Sequence, residues 1–192
     1  MDWAVEFVSN MDKENVKLIR ETLEAKVKSD SGEYGDAARI LWELLIQVRH
    51  SKNREWECIT MVHMGKVYRA LRWSIAVQLF EQAFELADAI GFTQAKMMAL
   101  VELGELKCNW GQFEESLTLF REALSLADTG DLDSRRIILL NMVVAYEGLD
   151  ELNTCLMLLK EVIDIDRKID CDDMNEDLDH RDRLQKALEE MK

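Results

Sequence analysis

The sequence predicts an all-α chain: a stack of antiparallel helix pairs, about four of them, closed by a C-terminal helix. Three observations carry that expectation. The 192 residues contain no proline and eight glycines, so little interrupts a helix. Runs of alternating β-branched residues, the mark of strands, are missing. One apolar template also recurs four times, at offsets of 0, 3, 4, 7, 8 and 11 residues, which is the spacing of one helix face.

The first copy is Ala37, Ile40, Leu41, Leu44, Leu45 and Val48. The second is Ala76, Leu79, Phe80, Ala83, Phe84 and Ala87. The third is Ser116, Leu119, Phe120, Ala123, Leu124 and Ala127. The fourth, Cys155, Leu158, Leu159, Val162 and Ile163, breaks only at Asp166. From 37 to 76 to 116 to 155 the steps are 39, 40 and 39 residues. A helical stripe inside such a step marks a stacked helical repeat, because one pair alone cannot bury its apolar face.

Each template helix has a partner before it in sequence. Met61, Met64, Gly65, Tyr68 and Leu71 share one side of the second, as do Leu100, Leu103, Gly104, Lys107 and Trp110 of the third. Leu139, Met142, Val143, Tyr146 and Leu149 are the set in the fourth. A glycine inside a helix costs about 1 kcal/mol against alanine, so Gly65 and Gly104 point to close helix crossings. The small Ser116 and Ala123 fit the same crossing from the other side. The pairs then span 12–50, 53–90, 93–128 and 132–167, in one domain covering 1–192. Gly91 and Gly130 are placed to close helices, and Thr93 or Asp131 to cap the next. Residues 1–11, with the apolar stretch DWAVEFVSN, are expected as an N-terminal cap, and 172–191 as a charged capping helix.

The order leucine, glycine, aromatic, then small, aromatic, small resembles the tetratricopeptide repeat (TPR). The third copy carries it most fully, in Leu100, Leu103, Gly104, Trp110, Gly111, Phe113, Ser116, Phe120 and Ala123. The second has Met64, Gly65, Tyr68, Leu71, Ala76, Phe80 and Ala83, with one residue fewer in its turn. The fourth has Val143 and Cys155 at small positions, and the first is recognisable only through Gly32, Tyr34, Ala37 and Leu41. The resemblance covers roughly residues 12–167. The step exceeds the usual ~34 residues, and the usual proline after the second helix is absent. The longer step and the ending ELADAIG, residues 85–91, resemble the long-helix branch of kinesin light chain and the Leu-Gly-Asn spindle adaptor. The resemblance implies a right-handed α-α superhelix.

Charge and chemistry narrow the function. A formal net charge of -14 disfavours nucleic-acid phosphates and anionic lipid, and favours partners with a basic segment. No apolar run reaches the ~18 residues of a membrane span, and the first residues lack the pattern of a signal peptide. Cys58, Cys108, Cys155 and Cys171 form no CxxC pair and read as reduced core thiols, which places the chain in the cytoplasm. Trp42 and Trp110 read as core, Trp3 and Trp56 equally as core or as surface contacts, and His50 and His180 as surface histidines. There is no phosphate loop, HExxH or GxSxG, so no catalytic residue, metal site or cofactor is expected. The acidic run around Asp172, Asp173, Glu176 and Asp177 lacks the glycine and terminal glutamate of a calcium loop, and reads as a helix start.

What remains is a surface. In the TPR family the first helices of the pairs line a concave groove that binds peptides or partner helices. Carried over by position, the groove would present Val62, His63, Lys66 and Arg69, then Met98, Val101, Glu102, Glu105 and Asn109, then Leu140, Asn141, Val144 and Glu147. Glu105 and Val144 stand where the family's carboxylate clamp has asparagine, which argues against a chaperone-tail ligand. The expected function is a non-enzymatic adaptor. A small acidic chaperone for a secreted or aggregation-prone client and a weakly homo-oligomeric structural scaffold are the alternatives.

Overall fold

In the computed structural model, residues 13–171 and 173–190 are described. The expected N-terminal cap, Trp3 included, and Asp172 lie outside them. The described residues form nine helices: α1 Lys13–Asp30, α2 Tyr34–His50, α3 Arg54–Leu71, α4 Trp73–Ile90, α5 Thr93–Asn109, α6 Phe113–Leu126, α7 Leu132–Gly148, α8 Leu152–Ile169 and α9 Met174–Glu190. The chain divides into two compact units, Met1–Lys96 and Met97–Lys192.

In the first unit α1 packs on α2, α2 on α3 and α3 on α4, with α1 also touching α3. The template residues Ala37, Leu41, Leu44, Leu45 and Val48 of α2 are buried, as are Ala76, Phe80, Ala83 and Ala87 of α4. Burial of a side chain such as Phe80 contributes ~1.5–3 kcal/mol. Gly65 of α3 lies against it: a Cβ there would overlap the Phe80 ring. Only Arg72, in extended conformation, separates α3 from α4, which accounts for the shorter turn of this pair. Gly91 closes α4 with φ 70°, a left-handed conformation that suits glycine, and Phe92 N–H reaches back to the Ala87 carbonyl at 2.8 Å.

In the second unit α6 packs on α7, α7 on α8 and α8 on α9. Gly104 of α5 faces Phe120 of α6 as Gly65 faces Phe80. Ser116, fully buried, is close to Cys108 Sγ at 3.1 Å and donates to the Phe113 carbonyl at 2.7 Å. Asp131 caps α7 by accepting from Ser134 N–H at 3.1 Å. Gly130 closes no helix, because α6 stops at Leu126 where Ala127 turns extended.

Three expected core residues lie at the surface. Leu71 is 48% exposed and Trp110 51%, since one ends α3 and the other follows the last residue of α5. Trp42 is 52% exposed because it faces away from the buried stripe of Leu41, Leu44 and Leu45. Trp56, by contrast, is half-buried and donates from Nε1 to Asn15 Oδ1 at 3.1 Å. The break in the fourth template is equally informative. Asp166 is fully buried and paired with Arg136 Nε, while Arg136 Nη2 also reaches Asp177 of α9 at 2.8 Å. The slot that carries no apolar side chain therefore ties α8 to α7, and α7 to the capping helix.

Candidate functional site

The first-helix residues expected to line a groove divide by burial. In the first unit Val62 is fully buried, so it packs inside the pair instead of facing a ligand. Lys66 is exposed and Arg69 half-buried. His63 is half-buried, and burial, reinforced by Lys66 and Lys26, pushes its pKa down to about 4. It is neutral at physiological pH, so the basic character of this face comes from the lysine and arginine.

In the second unit Val101 and Glu102 are buried at 9% and 4% exposure, and are corrected from groove-lining to packing positions. The apolar face of α5 is wide: Ala99, Leu100, Val101 and Leu106 are all buried, which leaves a narrow solvent-facing strip. Met98 and Leu140 are half-buried, with Leu140 packed on the cores around Leu139 and Val143. Glu105, Asn109, Asn141 and Val144 remain accessible. Glu105 Oε1 accepts from Asn141 Nδ2 at 3.2 Å, which links α5 to α7. Glu147 lies 2.7 Å from His180 Nε2, so the capping helix engages the far end of α7.

Around that Glu105–Asn141 link lies a cleft of about 210 Å³, lined by Glu105, Cys108, Asn109, Asn141 and Val144, with the Phe120 ring beneath. α5 supplies the acidic and amide groups, α7 an amide and the half-exposed valine, and α6 the aromatic floor. Four of the thirteen proposed groove residues are thus brought together, and two cleft residues, Cys108 and Phe120, were assigned to the core by sequence. Phe120 occupies the aromatic position of the repeat, and its ring lies against Gly104, where a Cβ would overlap it. A carboxylate and two primary amides beside a valine can hydrogen-bond a peptide backbone and accept a cation. Among the described residues no three His, Cys, Asp or Glu side chains gather as a metal would need, and no helix is long and apolar enough to cross a membrane.

No family model matches the sequence, and no curated protein does. Solved structures do match. A Podosopora anserina protein of nearly identical TPR-like repeats, ascribed to kinesin light chain, is 18% identical with a TM-score of 0.64, over 90% of this chain and 92% of that one. The fold is that of a TPR-like repeat protein. BtubC (BKLC) from P. vanneervenii is 13% identical with a TM-score of 0.66, over 84% of this chain and 67% of that one. MamA from Desulfovibrio magneticus RS-1 is 19% identical with a TM-score of 0.54, over 89% and 96%. At these identities the similarity is one of fold.

Proposed function

We propose that this TPR-like chain is a non-enzymatic adaptor, and that the α5–α7 cleft receives an extended or helical segment of a partner protein. TPR-like repeat proteins generally serve as protein-interaction scaffolds. The observation that carries the reading here is the cleft itself: Glu105, Asn109 and Asn141 offer hydrogen bonds beside Val144, which is 52% exposed. A valine exposed among amides suits a segment that sets an apolar side chain between backbone hydrogen bonds. The negative charge of Glu105 favours a basic residue in that segment.

The test uses variants at the rim, where folding is not at stake. Val144→Arg with Asn109→Arg should abolish capture of a partner that wild-type protein retains, while melting stays within about 2 °C. Glu105→Gln should weaken binding several-fold and reduce its salt dependence, because exposed charges mainly steer and select. Unchanged capture by the double arginine variant contradicts the reading.

A further inference from the structure

A repeat stack buries each pair against the next. Here α9 packs on α8. It is held by Asp177 against Arg136 and by His180 against Glu147, and Leu184 is its one buried apolar residue. Between α8 and α9 a groove of about 340 Å³ remains, lined by Leu156, Lys160, Ile163, Asp164, Arg167, Arg181 and Gln185. Leu156 and Ile163 form its apolar floor. Met157, at 74% the most exposed large apolar side chain among the described residues, stands next to Leu156 on α8. From 156 to 167 the groove runs eleven residues of helix, about 16 Å or three turns at 1.5 Å per residue.

Its charge is the reverse of the chain's. Lys160, Arg167 and Arg181 rim a groove on a protein of net charge -14. Arg167 and Arg181 each hold a carboxylate of their own helix, Asp164 at 3.0 Å and Asp182 at 2.9 Å from Nε, in exposed pairs worth little in water. Among the described residues Lys160 makes no ion pair. Exchanging such partners for carboxylates brought by a ligand costs little, and the groove would exclude water around the new pairs.

We propose that the α8–α9 groove is a second docking site, which takes one amphipathic helix of about three turns with an acidic flank from a partner protein. Its apolar stripe would lie on Leu156, Ile163 and Met157, and its carboxylates on Lys160, Arg167 and Arg181. It would pack as the second helix of a pair whose first is α9. This site is separate from the α5–α7 cleft, and the two can fail independently.

The test uses the full chain and two synthetic 14-residue helical peptides. Both carry leucines at i, i+3, i+7 and i+10, flanked by glutamate in one and by lysine in the other. Anisotropy at low salt should show the glutamate peptide binding at least tenfold more tightly than the lysine peptide. Lys160→Glu with Arg181→Glu should reverse that preference at unchanged melting temperature. Met157→Glu should weaken the glutamate peptide, while Val144→Arg in the cleft should leave it unaffected. Equal binding of the two peptides, no binding of either, or loss of binding in the cleft variant would overturn the proposal. So would a dimer in light scattering that Lys160→Glu dissolves, because the occupant would then be a second copy of this chain.

Discussion

Gly104 lies beneath the ring of Phe120, at a distance that leaves no room for a Cβ. One step of 39 residues later, the same two places hold Val143 and Leu159, both fully buried in one core cluster with Cys155. Glycine with phenylalanine in one pair, and valine with leucine in the next, are two ways of filling the same crossing.

A double-mutant cycle should read this exchange directly. Gly104→Val alone overpacks the crossing and should cost ~1–3 kcal/mol, or more, although valine is the better helix former. Phe120→Leu alone should leave a small cavity and also destabilise. Together they recreate the arrangement of the next pair, so the double variant should be more stable than the sum of the two losses predicts. As a control, Gly35→Ala in α2 has nothing within 4 Å of the added Cβ and should gain ~0.5–1 kcal/mol. Thermal melting of the four variants checks all of this.

The buried Arg136–Asp166 pair calls for a different cycle. Arg136→Met leaves Asp166 as an unpaired buried carboxylate, and should cost ~3–5 kcal/mol in denaturant unfolding. Adding Asp166→Leu should recover most of that loss, since well-packed apolar residues often replace a buried ion pair at no net cost. Asp177, whose pKa burial and the Asp166 hydrogen bond raise against the pull of Arg136, then loses its cation. The double variant should therefore show faster amide exchange in α9 than wild type.

His63 gives the protein a pH dependence of known sign. Its folded pKa of about 4 lies below the ordinary 6.5, so the unfolded chain takes up the proton first as pH falls. The contribution is fully present above pH 6.5 and is lost as pH drops towards 4. The groups facing His63 from its own helix and from α1 are Lys66 and Lys26, whose charges act in the same direction. His63→Gln should flatten the stability profile between pH 6.5 and 4, and an unchanged slope there would contradict it.

Burial pushes the thiols of Cys58 and Cys155 up to about 11. Both are free and fully buried, whereas Cys108 and Cys171 are half-buried. At pH 8 a thiol reagent should therefore modify Cys58 and Cys155 only at the rate of opening, at least tenfold more slowly than in denaturant. Mass spectrometry of the partly labelled protein reads out the order.

The helix pairing was legible because it repeats. Ala37, Ala76, Ser116 and Cys155 hold the same place in four stripes, and a period of 3.6 residues within a step near 40 leaves few alternatives. Asp166 was legible only as a fault in its stripe. Its partner Arg136 lies 30 residues earlier on another helix, and no local pattern links them. Glu102 failed for the opposite reason. Its sequence neighbourhood reads as a solvated face, yet the wide apolar surface of α5 carries it inside, so a Glu102→Lys variant would test folding before binding. Trp42 and Trp110 show the converse: a large aromatic beside an apolar stripe need not belong to it. In the cleft, Glu105, Asn109, Asn141 and Val144 were expected only through the resemblance to the repeat family, whereas the linking hydrogen bond and the Phe120 contact depend on how the helices pack.

The most direct measurement of the central claim places a photo-crosslinking amino acid at Val144, and in a second protein at Trp42, which is equally exposed but lies on α2. Each is irradiated with partner bound, and the crosslinked peptides are sequenced. The account predicts that Val144 marks one short contiguous segment of a single partner, that Trp42 does not, and that Asn109→Arg removes the Val144 product. Equal labelling from both positions, or persistent binding with no crosslink from Val144, would contradict it.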